Sequence, residues 1–208
     1  MRSTYIGNIL AKQTRRLVGK IADVILLYMF RHETISEFES VRFVCCDEDP
    51  EPFRSTVAEA LELIKAYDPR RFRRVLDTAD WIVDYTGPLG SGGGKYGFRR
   101  KAIWLDLGFD IYRDTVELAA ATAGVIVHEA THGRLFAMGI PYDEETWIRV
   151  ERMCCAEENQ FLRRLDRVRD GLGSGLVREF RVSNWFPLRG ISLSRKIYLT
   201  FARMREAS

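Results

Sequence analysis

The stretch from Leu118 to Val127 contains ten residues and no charge. Its apolar side chains would occupy every side of a helix, and a helix that is apolar all round belongs in the interior of a protein. The helical pattern starts near Asp114, which forms nearly a capping box with Glu117, and runs to about Met138, where Gly139 ends it. The sequence therefore predicts a buried central helix, around which the other elements must pack.

This helix also contains His128-Glu129-Ala130-Thr131-His132, an H-E-x-x-H motif that holds two of the three histidines in the chain. Residues four apart share a helix face, so the two imidazoles are expected to converge on one metal ion. Glu129 points to a neighbouring side, where its carboxylate can take a proton from a zinc-bound water, whose pKa zinc lowers to about 7. The alternative is an accidental match at an exposed helix end. In a buried helix, however, the polar side chains of the motif need a partner, and a metal ion would supply one.

The remaining elements are predicted from apolar periodicity and turn residues. Residues 70–80 are ambiguous between helix and loop. The glycine-rich segment 87–94 lacks the G-K-[ST] ending of a phosphate-binding loop, so a flexible loop between strands is expected. The predicted helices are 4–31, 52–67, 144–170 and 194–205, and the predicted strands are 41–46, 81–85 and 102–107.

Length and composition predict a single α+β domain of 208 residues, with a helix at about 4–31, a catalytic core at about 41–170 and a helical tail at about 176–208. A net charge of +3 is too small to indicate nucleic-acid or membrane binding. Segment 163–208 has 11 basic and 4 acidic residues, which we interpret as a solvated helix face rather than a docking site for an acidic partner. No signal peptide or membrane-spanning run is recognised, which favours the cytoplasm.

The four cysteines form two vicinal pairs, Cys45-Cys46 and Cys154-Cys155. Neither a disulfide framework nor the C-x-x-C spacing of a four-cysteine zinc site is present. Buried thiols are therefore expected.

The motif and the order of elements around it resemble the zincin metallopeptidases. In that family a sheet, an active-site helix bearing H-E-x-x-H and a following helix form the common core, and segment 102–158 has this order of strand, motif helix and second helix. The resemblance implies one catalytic Zn²⁺, a small sheet with an edge strand packed on the active-site helix, and extra helices at both ends of this chain. It also implies that strand 102–107 lies at the edge of the substrate cleft, where it can pair with an extended peptide.

Within the zincins, the third metal ligand separates subfamilies. Metzincins extend the motif to a third histidine, and Leu135 and Met138 occupy the last two marked positions here. Gluzincins take a glutamate from the next helix, and Glu151, 19 residues after His132, resembles that ligand. The compact chain is similar to the minigluzincins.

The rest of the gluzincin pattern is less complete. Cys155 stands where many gluzincins have an aspartate that supports a histidine. Glu158, seven residues after Glu151, is on the same helix face and is a candidate for that supporting role. Glu157, Glu158 and Asp143 remain rival ligands.

The resemblance implies a zinc metallopeptidase that hydrolyses a peptide or protein. A hydrolase of another amide and a non-catalytic zinc-bound scaffold are the alternatives. In the scaffold, Cys154, Cys155 or an acid would fill the fourth metal position, but the intact Glu129 argues against it. The residue that stabilises the oxyanion is unassigned, and its candidates are Tyr142, Arg149, Arg152 and Tyr198.

Overall fold

A computed structural model of the chain describes residues 35–45, 49–84, 93–107, 115–143 and 145–180. These residues all belong to one unit, which begins at Ile35. The predicted helices 4–31 and 194–205 lie outside the described residues, as do Asp114 and most of the basic segment.

Five strands form one mixed sheet in the order β1-β2-β3-β5-β4. The two outer pairs, β1 with β2 and β4 with β5, are antiparallel, whereas β2, β3 and β5 run parallel to one another. β4 is therefore an edge strand that runs against its neighbour. The strands are β1 Ser36–Phe38, β2 Val41–Val44, β3 Trp81–Asp84, β4 Gly93–Gly97 and β5 Ala102–Asp106.

A row of buried side chains crosses the sheet and joins it to the helices. Phe43 pairs in register with Ile82, Ile82 with Ile103, and Ile103 with Tyr96. Because side chains at directly paired positions share a face, the four form one apolar surface. All four belong to the main hydrophobic core, which also includes residues of the helices.

Four α-helices complete this part of the chain, with a short 3-10 helix at Ser174–Leu176. The third, α3, packs against the other three helices and against β4 and β5. Asp68 separates the first two helices and accepts a hydrogen bond from the backbone N–H of Arg71, which caps the second. The helices are α1 Glu51–Tyr67, α2 Pro69–Thr78, α3 Thr115–Ala137 and α4 Trp147–Val168.

The predicted buried helix is confirmed. From Leu118 to Gly133, every residue of α3 except Val125 is buried. Small residues allow its neighbours to approach closely: a β-carbon on Gly124 would lie 3.3 Å from both methyl carbons of Leu162 in α4. Helix α3 is thus the central element that the absence of charge indicated.

Several other predictions are confirmed, and the ambiguous segment is resolved. Segments 41–46 and 81–85 contain β2 and β3, and segment 52–67 matches α1 except that the helix begins one residue earlier. Segment 70–80 is largely the helix α2. Helix α4 begins later than residue 144, because Asp143 and Thr146 form a turn in which the Asp143 carboxylate accepts the backbone N–H of Thr146 at 3.0 Å. None of the helices that the structure describes is long and apolar enough to cross a membrane.

The identification of strand 102–107 as the edge strand is wrong. β5 lies inside the sheet between β3 and β4, and the edge strand packed on the motif helix is β4. β5 is apolar on both faces, as interior strands are. The sequence of β4, Gly-Gly-Lys-Tyr-Gly, has no apolar alternation, and its first two glycines belong to the predicted loop 87–94.

Candidate metal centre

The two motif histidines lie one turn apart on the same face of α3. Both are buried, His128 at 4% and His132 at 7% exposure, and their ring centroids are 5.1 Å apart. Buried imidazoles at this spacing provide two nitrogen donors for one metal ion. The helix thus places them as the i, i+4 spacing predicts.

Helix α4 brings Glu151 to both histidines. One carboxylate oxygen, Oε2, lies 3.2 Å from Nε2 of His128, and the other, Oε1, lies 3.6 Å from Nε2 of His132. Glu151 is 2% exposed, so this contact is made away from solvent. The residue that the sequence indicated as third ligand therefore faces the same nitrogen atoms that a metal would bind.

Glu158, two turns further along α4, holds the opposite side of the His128 ring. Its Oε2 lies 3.0 Å from Nδ1 of His128. A carboxylate at Nδ1 keeps the proton on that nitrogen and directs Nε2 at the metal position, which is the usual arrangement behind a ligating histidine. Glu158 can thus support His128 from behind, and it also belongs to a group of possible metal donors with His128 and Cys155.

The other two rival acids lie elsewhere. Glu157 accepts hydrogen bonds from Arg74 at 2.8 Å and from Arg71 at 3.1 Å, which bind α2 to α4. Asp143 is exposed and caps the start of α4 through Thr146. Neither carboxylate is directed at the histidines.

Two cysteines join this cluster, and the sequence indicated them as metal donors only in the scaffold alternative. The described cysteines, Cys45, Cys154 and Cys155, are buried thiols outside any disulfide, as expected. The Sγ of Cys154 forms a group of possible metal donors with His128 and His132, and the Sγ of Cys155 forms a second group with His128 and Glu158. Cys154 and Cys155 follow Glu151 by three and four residues, within one helical turn, and this spacing indicates that their thiols lie near its carboxylate.

Glu129 is buried directly beneath the edge strand β4. A β-carbon built on Gly94 would lie 2.9 Å from Cγ and 3.2 Å from Oε1 of Glu129. Only glycine allows β4 to cross so close to this side chain. The carboxylate therefore lies between α3 and the edge of the sheet, next to the histidines.

Of the four oxyanion candidates, Tyr142 is the one that the structure places at the cluster. Its hydroxyl donates a hydrogen bond of 2.5 Å to Oε1 of Glu151, and its ring packs edge-on against His132 with centroids 5.2 Å apart. Tyr142 is 41% exposed, so it reaches the cluster from the solvent side. Arg149 and Arg152 are exposed, and Tyr198 lies outside the described residues.

Burial and the mutual attraction of these groups shift their pKa values in opposite directions. Burial raises the pKa of Glu129, although the two histidines oppose it. Burial also acts against the charged form of Glu151, but hydrogen bonds with His128, His132 and Tyr142 outweigh it and hold the pKa of Glu151 well below its usual value. For His128, hydrogen bonds with Cys155, Glu151 and Glu158 likewise outweigh burial and raise its pKa well above the ordinary value.

The donor set fits a divalent metal ion. Two imidazoles and a carboxylate converge in the protein interior, where a cation bound between them would offset the charge of the carboxylate and accept the Nε2 lone pairs. Three protein donors of these types are the ligand set of catalytic zinc sites. The buried His, Cys and Glu groups are thus capable of holding a metal ion.

Comparison with known proteins gives no relative: no family model, curated protein or solved structure matches this chain at a significant level.

Proposed function

We propose that this protein is a zinc-dependent peptidase of the zincin type, whose metal ligands are His128, His132 and Glu151. One observation carries the proposal: Glu151 contacts Nε2 of both motif histidines while Glu129 lies beside them under the edge strand. Three protein ligands leave a fourth position of tetrahedral zinc for water or substrate. When bound there, zinc would lower the pKa of that water and polarise the substrate carbonyl.

Glu129 supplies the general base. Its carboxylate neighbours the ligands but is not needed as one of them, so it can accept a proton from the attacking water and deliver it to the leaving amine. Burial raises the pKa of this carboxyl and so brings it closer to the operating pH. The carboxyl can then keep the proton that it takes from water until it delivers the proton to the leaving amine.

Tyr142 supplies the hydrogen-bond donor for the developing oxyanion. Its one hydroxyl proton, donated to Glu151 in this structure, would turn from that acceptor to the oxyanion, and the partial exposure of the side chain leaves room for this movement. A hydrogen-bond donor at this position would stabilise the negative charge that develops on the oxygen in the transition state. This stabilisation is largest in a site that excludes water.

The edge strand favours an extended peptide as substrate. No further described strand pairs with the outer side of β4, whose backbone passes over Glu129. A peptide aligned with that edge can form main-chain hydrogen bonds and lie next to the ligands.

A zinc hydrolase of a small amide is the second candidate, since the same residues would catalyse it. This alternative applies if the edge of β4 takes no part in binding the substrate. Peptides that extend along β4 should then react no faster than short amides with the same aliphatic group.

The deciding experiment combines elemental analysis with hydrolysis of a fluorogenic peptide library. We expect wild type to bind one zinc ion, His132→Ala to lose it, and Glu129→Gln to keep the metal but lose turnover by at least about 100-fold. Glu62→Gln, an exposed glutamate on α1, is the matched control and should change neither property.

Three results would count against the proposal. Wild type that takes up no zinc after reconstitution would make the motif accidental. A variant Glu129→Gln with full turnover would remove Glu129 from the mechanism, and a zinc-loaded protein that cleaves no member of the library would favour the scaffold alternative.

A further inference from the structure

Helix α4 carries two metal donors toward the same histidines. Glu151 and Cys154 are three residues apart, so they lie on neighbouring turns of one face. Cys154 is fully buried, and its Sγ, one nitrogen of His128 and one nitrogen of His132 all lie within 4.8 Å of one another. His128, His132 and Cys154 thus form a second set of three donors, in which a thiol takes the place of the Glu151 carboxylate.

The distances suit a common metal ion. Zinc binds sulfur at about 2.3 Å and imidazole nitrogen at about 2.0–2.1 Å, so sulfur and nitrogen of a tetrahedral site are separated by roughly 3.6 Å. A group whose donors already lie within 4.8 Å needs only a small side-chain movement to reach that spacing. Cys155 is no equivalent, because its group contains Glu158 and one histidine.

We propose that Cys154 is an alternative third ligand of this metal centre, exchanging with Glu151 according to the softness of the ion. Thiophilic ions such as Cd²⁺ are held by His128, His132 and Cys154, whereas harder ions such as Mn²⁺ are held by the two histidines and Glu151. The inference rests on the metal centre of the proposed function.

The exchange keeps the fourth position open. Both ligands come from α4, while Glu129 and the edge strand lie on the side of α3 that faces β4. When the sulfur–metal bond forms, the oxygen–metal bond of Glu151 breaks, and the thiol proton is released to the solution, as on metal binding to other thiols. The number of protein ligands is three before and after.

The test is titration of the full chain with Cd²⁺ and Mn²⁺, followed by the ultraviolet absorption of cadmium–thiolate bonds and by binding affinity. Wild type should show the thiolate band with Cd²⁺. Cys154→Ser should lose the band and at least about 10-fold in Cd²⁺ affinity, with Mn²⁺ affinity unchanged. The matched control Cys155→Ser changes the adjacent thiol and should keep the band.

Variants of Glu151 give the reciprocal result. Glu151→Gln should lose Mn²⁺ but still bind Cd²⁺ with the thiolate band, and the double variant Glu151→Gln/Cys154→Ser should bind neither. Circular dichroism of each variant shows that it is folded, and Cys154→Ala replaces Cys154→Ser if the serine variant does not fold.

The outcomes separate this inference from the proposed function. Cadmium bound to wild type without a thiolate band, or the same band in Cys154→Ser, overturns the role of Cys154 and leaves the peptidase proposal intact. Wild type that binds neither ion overturns both.

Discussion

At the scale of single residues, Gly94 controls the space available to Glu129. A methyl group there would meet Cγ of Glu129 at 2.9 Å and Cγ1 of Val125 at 2.7 Å. We expect Gly94→Ala to displace Glu129, the proposed general base, and to lower kcat by at least about 10-fold while zinc content stays at the wild-type value. The measurement is kcat on a cleaved peptide together with elemental analysis.

The neighbouring glycine is the control for this prediction. A β-carbon on Gly93 would have nothing within 4 Å, so Gly93→Ala adds the same methyl group to the same strand without a collision. Equal losses in the two variants would mean that the backbone of β4, and not the space over Glu129, limits activity.

Tyr142 is expected to act through its hydroxyl. Tyr142→Phe removes the donor to Glu151 but keeps the ring that packs on His132. We expect kcat/KM to fall about 100-fold with zinc retained, the usual cost of losing one oxyanion donor. Steady-state kinetics check this, and an unchanged kcat/KM would exclude the hydroxyl from transition-state stabilisation.

At the scale of secondary-structure elements, the packing of α3 on β4 depends on Gly133. A β-carbon there would lie 2.6 Å from Cζ of Tyr96 and 2.9 Å from Cβ of Thr78. The ring is fixed by a hydrogen bond of 2.5 Å from the Tyr96 hydroxyl to the carbonyl oxygen of Thr78, so it has little freedom to move away. We expect Gly133→Ala to lower the free energy of unfolding by about 1–3 kcal/mol in urea denaturation.

A second glycine of α3 provides the comparison. A β-carbon on Gly124 would meet the flexible end of Leu162 at 3.3 Å and Cγ of Glu158 at 3.5 Å, which are longer contacts than those at Gly133. Alanine also favours a helix by about 1 kcal/mol over glycine. Gly124→Ala should therefore cost less than Gly133→Ala. The reverse order would show that Tyr96 yields more easily than the geometry suggests.

Helices α2 and α4 are joined by an ion-pair network that predicts a pH dependence of stability. Burial acts to raise the pKa of Glu157, but its hydrogen bond with Arg74 and the charges of Arg74 and Arg71 outweigh burial, so the pKa lies below its usual value. A carboxyl whose pKa is lowered on folding stabilises the protein above its unfolded pKa of about 4.3, and this stability is lost as pH falls through the folded pKa.

Glu157→Gln tests this dependence. We expect the variant to be less stable than wild type by about 1 kcal/mol at pH 7, a modest value because the Glu157 side chain is 29% exposed. The difference should shrink as pH falls below the unfolded pKa of about 4.3 and vanish once pH is below the lowered pKa of the folded state. Urea denaturation across pH measures it, with the exposed Glu59→Gln as control, and a difference that does not vary with pH would assign the effect to packing.

At the scale of the whole molecule, the proposed metal ion links α3 to α4 and should stabilise the fold. The donors come from two helices, so the unfolded chain does not present the site. Zinc at 100 times its dissociation constant would add about 2.7 kcal/mol to the free energy of unfolding. We expect a chelator to lower Tm and added zinc to restore it, whereas Tm of His132→Ala should not respond to either.

The local patterns of the sequence predicted much of this molecule because each depends on near neighbours in the chain. The absence of charge from Leu118 to Val127 was sufficient to predict the buried α3, and the spacing of His128 and His132 was sufficient to place both on one helix face. The proximity of Glu151 was anticipated only with the help of the zincin resemblance, since 19 residues and a turn separate it from His132.

Only the tertiary structure decided which strand borders the site. β5 has the stronger strand sequence, yet β4 is at the edge, because the order of strands follows from pairing between distant segments, and the glycines of β4 carry no apolar pattern. Tertiary packing also decided which of two adjacent glutamates of α4 lies at His128. Glu157 forms an ion pair with Arg74 of α2, whereas Glu158 contacts His128. The sequence by itself determined which donors exist and which helix face they share, whereas the packing of α2, α4 and β4 on α3 decided which of them meet, because contacts between elements depend on the whole fold.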